Sequence, residues 1–428
     1  MKSVGVLSLG CKVNTYESEF VINELKNAGY EIKNFTDICD VYIINTCTVT
    51  NNSDSKSRKM IRQAIKRNPN ACVVAMGCFI AANPDYHENG LDIILGNKDK
   101  SKIVDLLNEY FQNKEIITNQ YHGRLKEFED MYISEFPGRT RAFVKIQDGC
   151  DNFCSYCIIP FVRGKCRCKE EDTVLQEVRD LVDNGYKEIV LTGIHTGSYG
   201  VDLDTNFADL LRKLTSIKGL LRLRISSIET TELNEDVLSV LRESNILVDH
   251  LHIPLQAGSN EILKLMNRKY DLDFFFRKIK EIRSIRPNIA ISTDVIVGFP
   301  GETEELFQTT IDSCKKFEFS KIHVFPYSER KGTASSRMSG KVPGNIKKDR
   351  ARRLIAVSKQ LEEEYMKKFL HKTVDVLVEE SIDGYSYGHT GNYLLVKIPG
   401  NISHNEIVSV EIGDIDYPYC IGIEKGSN

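Results

Sequence analysis

Three closely spaced cysteines, Cys150, Cys154 and Cys157, constrain this chain more than any other feature of its sequence. They follow an apolar segment at 142–146 that predicts a strand, so one tight loop would hold all three thiols. Thiolates bind soft metals, and a cubane iron–sulfur cluster with three cysteine ligands leaves one iron free for a substrate or cofactor. A zinc knuckle or three buried thiols are the alternatives. Because no second Cys-x-x-Cys hook follows, the spacing favours an open 4Fe-4S cluster and no zinc.

A second set of three cysteines is spread over the first hundred residues. Strands are predicted at 4–9, 41–44 and 72–76. They alternate with helical stretches, which is typical of a parallel α/β sheet. Cys11, Cys47 and Cys78 each follow one of these strands directly. Because the carboxyl ends of parallel strands meet at one edge of a sheet, we expect the three thiols to converge and hold a second cluster with an open iron. Taken singly, each would be a buried apolar cysteine.

The middle of the chain, residues 139–366, alternates six predicted strands with helices. This pattern predicts a partial or full parallel (β/α)6 barrel, whose active mouth lies at the carboxyl ends of the strands. The Cys150–Cys157 loop follows the first strand and therefore lies at that mouth. Four further strand-end loops contain residues that we expect to contact a bound cofactor, namely Thr192, Gly193, Ser226, Glu229, Gln256 and Gly298. The loop at Gly298 also opens a helix, whose amide N–H groups could hold an anionic group.

The chain thus divides into an α/β domain at 1–112, a linker at 113–138, the barrel at 139–366 and a terminal module at 367–428. Four predicted strands separated by glycines make the terminal module a small OB-like β-barrel, a fold that often binds nucleic acid. After Thr373 the module contains nine Asp or Glu but only Lys397 and Lys425, so charge alone does not suggest that it grips phosphates. Its tyrosines, Tyr385, Tyr387 and Tyr393, are candidates either for stacking on bases or for packing in the core.

The formal net charge of −3 predicts no overall attraction to nucleic acid, so such binding must use local patches. One patch spans 329–372, with thirteen Lys or Arg against five Asp or Glu, and another is a helix ending near residue 67 with Ser53 or Asp54 as its cap. A third is the run around Cys166 and Cys168, which we interpret as an exposed basic loop with two cysteines that are not ligands. The candidate RNA contacts are Lys56, Arg58, Arg62, Arg163, Lys165, Arg167, Arg350 and Arg353.

The sequence also indicates a cytoplasmic protein. Twelve cysteines without a signal-peptide pattern are typical of a reducing compartment and of metal binding. No apolar run approaches about 20 residues, which argues against a membrane span.

These motifs together resemble a known family over essentially the full chain. The Cys-x3-Cys-x2-Cys loop resembles that of the radical S-adenosylmethionine (SAM) superfamily. The segments LGCKVN at 9–14, NTCTVT at 45–50 and GC at 77–78, with the terminal β-module, resemble the methylthiotransferases. The KVN form at 12–14 and LTGIHTG at 191–197 are most similar to the branch that acts on threonylcarbamoyladenosine in tRNA.

The resemblance implies specific roles for the six cysteines. Cys150, Cys154 and Cys157 would hold the 4Fe-4S cluster that binds SAM. Cys11, Cys47 and Cys78 would hold an auxiliary 4Fe-4S cluster that delivers sulfur. The terminal module would be a TRAM domain.

The implied reaction adds a methylthio group to C2 of N6-threonylcarbamoyladenosine at tRNA nucleotide 37. The expected partners are the tRNA anticodon stem-loop and a low-potential electron donor, with no membrane. The alternatives are methylthiolation of isopentenyladenosine in tRNA or of an aspartate in a ribosomal protein. A non-catalytic iron–sulfur protein is a further alternative, which the cofactor-like loops disfavour.

Overall fold

The computed structural model describes residues 1–119 and 125–424. Part of the predicted linker, residues 120–124, and Lys425 lie outside the described residues. The described parts confirm a mixed α/β protein with a parallel sheet, a parallel barrel and a small C-terminal β-barrel.

The N-terminal sheet has six parallel strands. They are β1 (Ser3–Ser8), β2 (Glu31–Lys33), β3 (Val41–Thr46), β4 (Cys72–Gly77), β5 (Ile93–Leu95) and β6 (Ile117–Asn119). The helices are α1 (Lys12–Asn27), α2 (Asn51–Arg67), α3 (Cys78–Ala82) and α4 (Ile103–Asn113). Every residue of β3 and β4 is buried, as expected for central strands covered on both faces.

The strand order of this sheet is β2-β1-β3-β4-β5-β6. The three strands that precede Cys11, Cys47 and Cys78 are β1, β3 and β4, so they are immediate neighbours. Two details differ from the sequence prediction. The strand β6 lies inside the predicted linker and pairs with β5, and α2 is capped by the hydroxyl of Thr50 rather than by Ser53 or Asp54. The exact domain boundaries stay a prediction.

The central barrel contains the six predicted parallel strands and a small antiparallel pair of two-residue strands. The first parallel strand is β7 (Arg141–Lys145). The antiparallel pair follows as β8 (Gln147–Asp148) and β9 (Arg167–Cys168). The other five parallel strands are β10 (Glu188–Thr192), β11 (Arg222–Ile225), β12 (His250–His252), β13 (Ala290–Val297) and β14 (Lys321–Pro326). The helices are α5 (Ile159–Val162), α6 (Glu171–Asp183), α7 (Phe207–Thr215), α8 (Glu235–Glu243), α9 (Asn260–Leu265), α10 (Leu272–Ile285), α11 (Glu304–Phe317) and α12 (Gly344–Lys367).

The six strands form an open arc in chain order. Two three-stranded halves, β7-β10-β11 and β12-β13-β14, are joined by a parallel bridge between Leu223 and Leu247. All carboxyl ends therefore point to one mouth, where the Cys150–Cys157 loop follows β7 and its extension β8. Apolar side chains of the strands and covering helices form one large core that continues into the N-terminal domain.

The C-terminal module is a closed five-stranded barrel. Its strands are β15 (Thr373–Ile382), β16 (Tyr385–Thr390), β17 (Leu395–Pro399), β18 (Ile407–Asp416) and β19 (Tyr419–Glu424). Their order is β15-β16-β17-β19-β18. The sequence predicted four of them and missed β16, where Ser, Gly and His interrupt the apolar pattern.

This module docks on the amino ends of the central strands, opposite the mouth. The guanidinium of Arg222, the first residue of β11, donates to the carbonyl oxygens of Asp375 at 2.7 Å and His389 at 3.0 Å. Arg141, the first residue of β7, pairs with Glu379 at 2.6 Å. The ring of Tyr393 stacks on His250, with centroids 4.9 Å apart. The module therefore forms the floor of the central barrel, and Tyr393 is a packing residue of that floor.

None of the helices in the two described ranges is long and apolar enough to cross a membrane.

The docking of the C-terminal barrel should depend on Arg222. We expect Arg222→Met to leave two partly buried carbonyls without this donor and to cost about 1–3 kcal/mol of docking free energy. Hydrogen exchange should then accelerate in β15 and β16 while β3 and β4 keep their protection. Arg242→Met, which removes an exposed ion pair with Glu235, is the matched control. Unchanged exchange in β15 and β16 would contradict the role given to Arg222.

Candidate active site

Backbone geometry brings the three N-terminal cysteines together at the edge of the sheet. Gly10 has φ +106°, and a Cβ there would lie 2.9 Å from both Cβ and Sγ of Cys47. Gly77, with φ +101°, performs the same turn before Cys78. Only glycine accommodates both the conformation and the close approach. Burial, together with the nearby Cys78 and Cys11 thiols, raises the pKa of Cys47.

Asn14 fixes the relative position of two of these loops. Its side-chain amide donates to the carbonyl oxygens of Leu9 at 2.7 Å and Thr46 at 3.0 Å. The amide of Asn45 in turn donates to the Asn14 carbonyl at 3.0 Å. Asn14 therefore ties the loop before Cys11 to the loop before Cys47.

The second cysteine set lies at the mouth of the central barrel. The backbone N–H of Asn152 donates to Sγ of Cys150 at 3.4 Å, and Nη1 of Arg268 donates to Sγ of Cys154 at 3.2 Å. Burial, with Cys154 and Cys150 close by, raises the pKa of Cys157 to about 12. Because cluster ligands are thiolates, N–H donors of this kind fit the group that such cysteines hold.

Two charged residues near this loop extend the site. The guanidinium of Arg268 also forms an ion pair with Glu229, so Glu229 orients the donor to Cys154. His195 bonds Glu232 at 2.8 Å, and although burial opposes it, hydrogen bonds to Cys150 and Glu232 raise its pKa to about 11. Sequence reasoning missed Arg268, because it lies 111 residues beyond Cys157 and no local pattern marks it.

Arg163 connects the two cysteine sets. It follows the Cys150–Cys157 loop and is completely buried. Its Nε donates to Sγ of Cys78 at 3.3 Å, and its Nη2 donates to the side-chain oxygen of Asn14 at 2.8 Å. Arg163, from the barrel loop, thus contacts both Cys78 and Asn14 of the N-terminal domain.

A buried network of charges surrounds Arg163. It pairs with Glu17 at 2.9 Å and Asp148 at 3.1 Å. Lys145 also pairs with both carboxylates, while Lys100 bonds Glu17 and Arg167 bonds Asp148. Although burial opposes it, these cations hold the pKa of Glu17 well below its usual range. The network has four cations and two carboxylates, and this positive excess beside Cys78 suits an anionic thiolate-bound cluster.

The prediction of an exposed basic loop is wrong for Arg163 and Arg167, because both are buried in this network. Arg350, a candidate RNA contact from the 329–372 patch, is also buried, on α12, where it pairs with Glu302 at 2.8 Å. The remaining candidate RNA contacts keep part or all of their side chains exposed. They are Lys56, Arg58, Arg62, Lys165 and Arg353.

The predicted SAM contacts lie along the mouth, with different degrees of access. Thr192 is buried at the end of β10, and a Cβ on Gly193 would lie 3.0 Å from the Gln147 side-chain oxygen. The backbone N–H of Gly298 donates to the Glu302 carboxylate at 2.6 Å, so this N–H is already engaged within the chain.

Two cavities open onto the remaining candidates. One of about 190 Å³ lies between the two domains, lined by Val49, Thr50, Tyr156, Gln256 and Asp294 among others. The other, about 380 Å³, occupies the lumen of the barrel and contacts Ser226, Lys12, His250, His252 and Tyr393 among others. His252 and Asp294, one from each lining, bond at 3.2 Å, so the two linings adjoin at this pair.

In the described part of the chain, no group of three or more His, Cys, Asp or Glu side chains is arranged around a single metal ion. In a cubane cluster each cysteine binds a different iron, so its sulfurs stand farther apart than the ligands of one ion.

Comparisons with known proteins match this geometry. The Radical SAM superfamily matches residues 144–314, and Uncharacterized protein family UPF0004 matches residues 3–96. Threonylcarbamoyladenosine tRNA methylthiotransferase MtaB of Bacillus subtilis is 43% identical over 99% of this chain and 96% of its own. The tRNA-2-methylthio-N(6)-dimethylallyladenosine synthase of Clostridium tetani is 36% identical over 94% of this chain and 92% of its own.

A solved structure shows the same fold at low identity. The radical SAM methyltransferase TsrM of Kitasatospora setae has a TM-score of 0.56 and 14% identity, and the match covers 76% of this chain and 73% of that chain. The barrel and its cysteine loop define a radical SAM enzyme. Within that class, the chain belongs to the methylthiotransferase family, and it is a transferase that uses 4Fe-4S clusters and SAM.

The stability of the domain junction should depend on Arg163. Arg163→Met would remove the buried hydrogen bonds that its guanidinium donates to Glu17, Asp148 and Asn14, so we expect it to lower the free energy of unfolding by about 3–5 kcal/mol. Denaturant unfolding of the cluster-free protein measures this directly. Lys213→Met, which removes an exposed ion pair with Glu171, should change it by less than about 1 kcal/mol. Equal effects of the two substitutions would show that the network is not a stabilising junction.

Proposed function

We propose that this protein methylthiolates C2 of N6-threonylcarbamoyladenosine at nucleotide 37 of tRNA. The observation that carries the proposal is the full-length similarity to the MtaB proteins, at 43% identity for that of Bacillus subtilis and 38% for that of Thermotoga maritima. The names of these relatives specify tRNA and threonylcarbamoyladenosine. The position of the base and the carbon that is modified are part of the proposal.

In this proposal the barrel loop, with Cys150, Cys154 and Cys157, holds the cluster that binds SAM. Cys11, Cys47 and Cys78 hold the auxiliary cluster. When bound, these groups supply the radical reactivity that an unactivated aromatic C–H requires, together with sulfur and a methyl group. The contact of Arg163 with Cys78 supports a shared cavity, because it joins the two loops that hold the clusters.

The chain's own residues would orient the ligands and receive the base. Arg268 and Arg163 donate to cysteine sulfurs from buried positions, which fixes the sulfurs and excludes water around them. Three apolar side chains near the mouth, Val49, Phe153 and Phe161, keep large exposed surfaces. A base beside the anticodon is unstacked easily, and exposed aromatic rings are suitable supports for the bases around it.

The proposed tRNA surface includes the outer face of α2. This helix begins four residues after Cys47, and it exposes Lys56, Lys59 and Arg62. Its start is fixed to the barrel by Arg330, which bonds Thr48 and Asp54. The anticodon stem would lie along this face while the loop enters the mouth. A low-potential electron donor would complete the set of partners.

The two cysteine sets should have separable roles. In anaerobically reconstituted protein, Cys154→Ala should abolish reductive cleavage of SAM, whereas Cys47→Ala should keep cleavage and lose transfer of sulfur to the tRNA. Each variant should contain about four iron atoms instead of about eight. Iron analysis, 5′-deoxyadenosine production and mass spectrometry of the RNA nucleosides measure these outcomes.

The matched control is Cys314→Ala, which alters a buried cysteine on α11 far from either set in the sequence. It should keep full iron content and activity. Wild-type SAM cleavage by Cys154→Ala, or complete methylthiolation by Cys47→Ala, would refute the corresponding assignment. Methylthiolation of RNA with N6-dimethylallyladenosine but not of RNA with N6-threonylcarbamoyladenosine would favour the other tRNA branch.

Binding to the anticodon stem-loop should depend on the charge of α2. The double substitution Lys56→Gln, Lys59→Gln should weaken binding and lower the slope of log K against log salt by about 2, because each phosphate contact contributes about 0.9. The matched control is Lys280→Gln, Lys316→Gln, which removes two cations that cover the ring of Phe276 on α10. An unchanged slope in the α2 variant would place the RNA elsewhere.

A further inference from the structure

The lumen cavity has a polar lining that the proposed chemistry of the clusters does not use. Besides polar groups from α12 and the C-terminal barrel, this lining includes six polar side chains from strands β12 to β14, the loop after β11 and the N-terminal domain. These side chains are Lys12, Ser226, His250, His252, Ser292 and His323. A cavity of about 380 Å³ can hold a small polar group, and this one lies beneath the mouth that receives the base.

Lys12 is the unusual member of this lining. It belongs to α1, directly after Cys11, and its half-buried side chain reaches the lumen of the other domain. Among the described residues, no hydrogen bond or ion pair engages its ammonium group. The other inward-facing lysines behave differently, since Lys100, Lys145 and Lys169 each bond a carboxylate. A partly desolvated ammonium without an acceptor is a recognition element for an anion.

The histidines of the lining are held in place by a hydroxyl. The Ser292 hydroxyl lies 3.0 Å from Nε2 of His250 and 2.9 Å from Nδ1 of His252. His252 also contacts Asp294, and the ring of His323 lies 5.6 Å from the His252 ring. The cavity therefore presents oriented hydrogen-bonding groups beside the ammonium of Lys12.

The second lysine of the lining already has a carboxylate partner. Lys321, which also lines the cavity, pairs with Glu362 at 2.9 Å. Of the two lysines that line the cavity, Lys321 is therefore paired and Lys12 is free within the described ranges, while the buried guanidinium of Arg224 lies over the Tyr393 ring outside the lining.

We propose that this cavity binds the carboxylate of the N6-threonylcarbamoyl group through Lys12, and that Lys12 thereby selects this substrate over an adenosine with an apolar N6 group. The inference rests on the proposed function. A threonylcarbamoyl group carries a carboxylate and a hydroxyl, whereas a dimethylallyl group carries only hydrocarbon. Burying hydrocarbon against Lys12 would leave the ammonium unpaired, whereas burying the carboxylate there gives both charges a partner.

Replacing the carboxylate of the substrate by its neutral methyl ester, which adds one methyl group, tests this directly. Anticodon stem-loop RNAs would carry N6-threonylcarbamoyladenosine, its carboxyl methyl ester or N6-dimethylallyladenosine at position 37. For the reconstituted wild type, we expect the acid to bind about 10- to 100-fold more tightly than the ester. Lys12→Met should bind acid and ester equally, and Lys12→Arg should recover most of the discrimination. Equilibrium anisotropy gives the dissociation constants, and methylthiolation gives KM and kcat.

Lys321→Met is the matched control and should discriminate like the wild type, because Glu362 already occupies that ammonium group. Iron content and SAM cleavage must equal the wild-type values in Lys12→Met, since Cys11 is adjacent. Equal wild-type affinity for acid and ester, or full discrimination by Lys12→Met, would overturn the carboxylate site while leaving the function intact. Failure of the wild type to methylthiolate the acid-containing RNA would instead overturn the proposed function.

Discussion

The buried ion network around Arg163 and Glu17 is the interaction on which the site depends. It joins the loop after Cys157 to the helix after Cys11, and Arg163 reaches Cys78 itself. Removing Glu17 would leave the buried ammonium of Lys100 without its carboxylate partner, which costs far more than the loss of a surface ion pair. The two cysteine sets are therefore held at a fixed separation by charge pairing, in addition to apolar packing.

The arrangement of the three folded parts encloses the barrel lumen from both ends. The N-terminal domain covers the mouth and contributes Lys12 from α1, while the C-terminal barrel closes the floor with Tyr393. The acidic character of the C-terminal module is compatible with this position, because Glu379 pairs with Arg141 at the amino end of β7. The module thus has a structural role that its resemblance to nucleic-acid modules did not indicate.

Much of the fold could be predicted from the sequence, because buried parallel strands produce apolar runs. Each of these runs is followed by a loop that contains a cysteine, a glycine or polar residues. The adjacency of β1, β3 and β4 follows from the same rule. The charges were misinterpreted, since Arg163, Arg167 and Arg350 look like a solvated basic stretch until their carboxylate partners are known. Those partners, Glu17, Asp148 and Glu302, lie up to 146 residues away, and pairing at such separations leaves no local pattern. Arg268 was missed for the same reason.

The most direct measurement of the central claim is nucleoside mass spectrometry of tRNA from a strain that lacks this gene. The account predicts that 2-methylthio-N6-threonylcarbamoyladenosine disappears, that its unmethylthiolated precursor accumulates, and that the wild-type gene restores the product whereas a Cys47→Ala copy does not. Unchanged levels of that nucleoside, or loss of the methylthiolated dimethylallyladenosine in its place, would contradict the account.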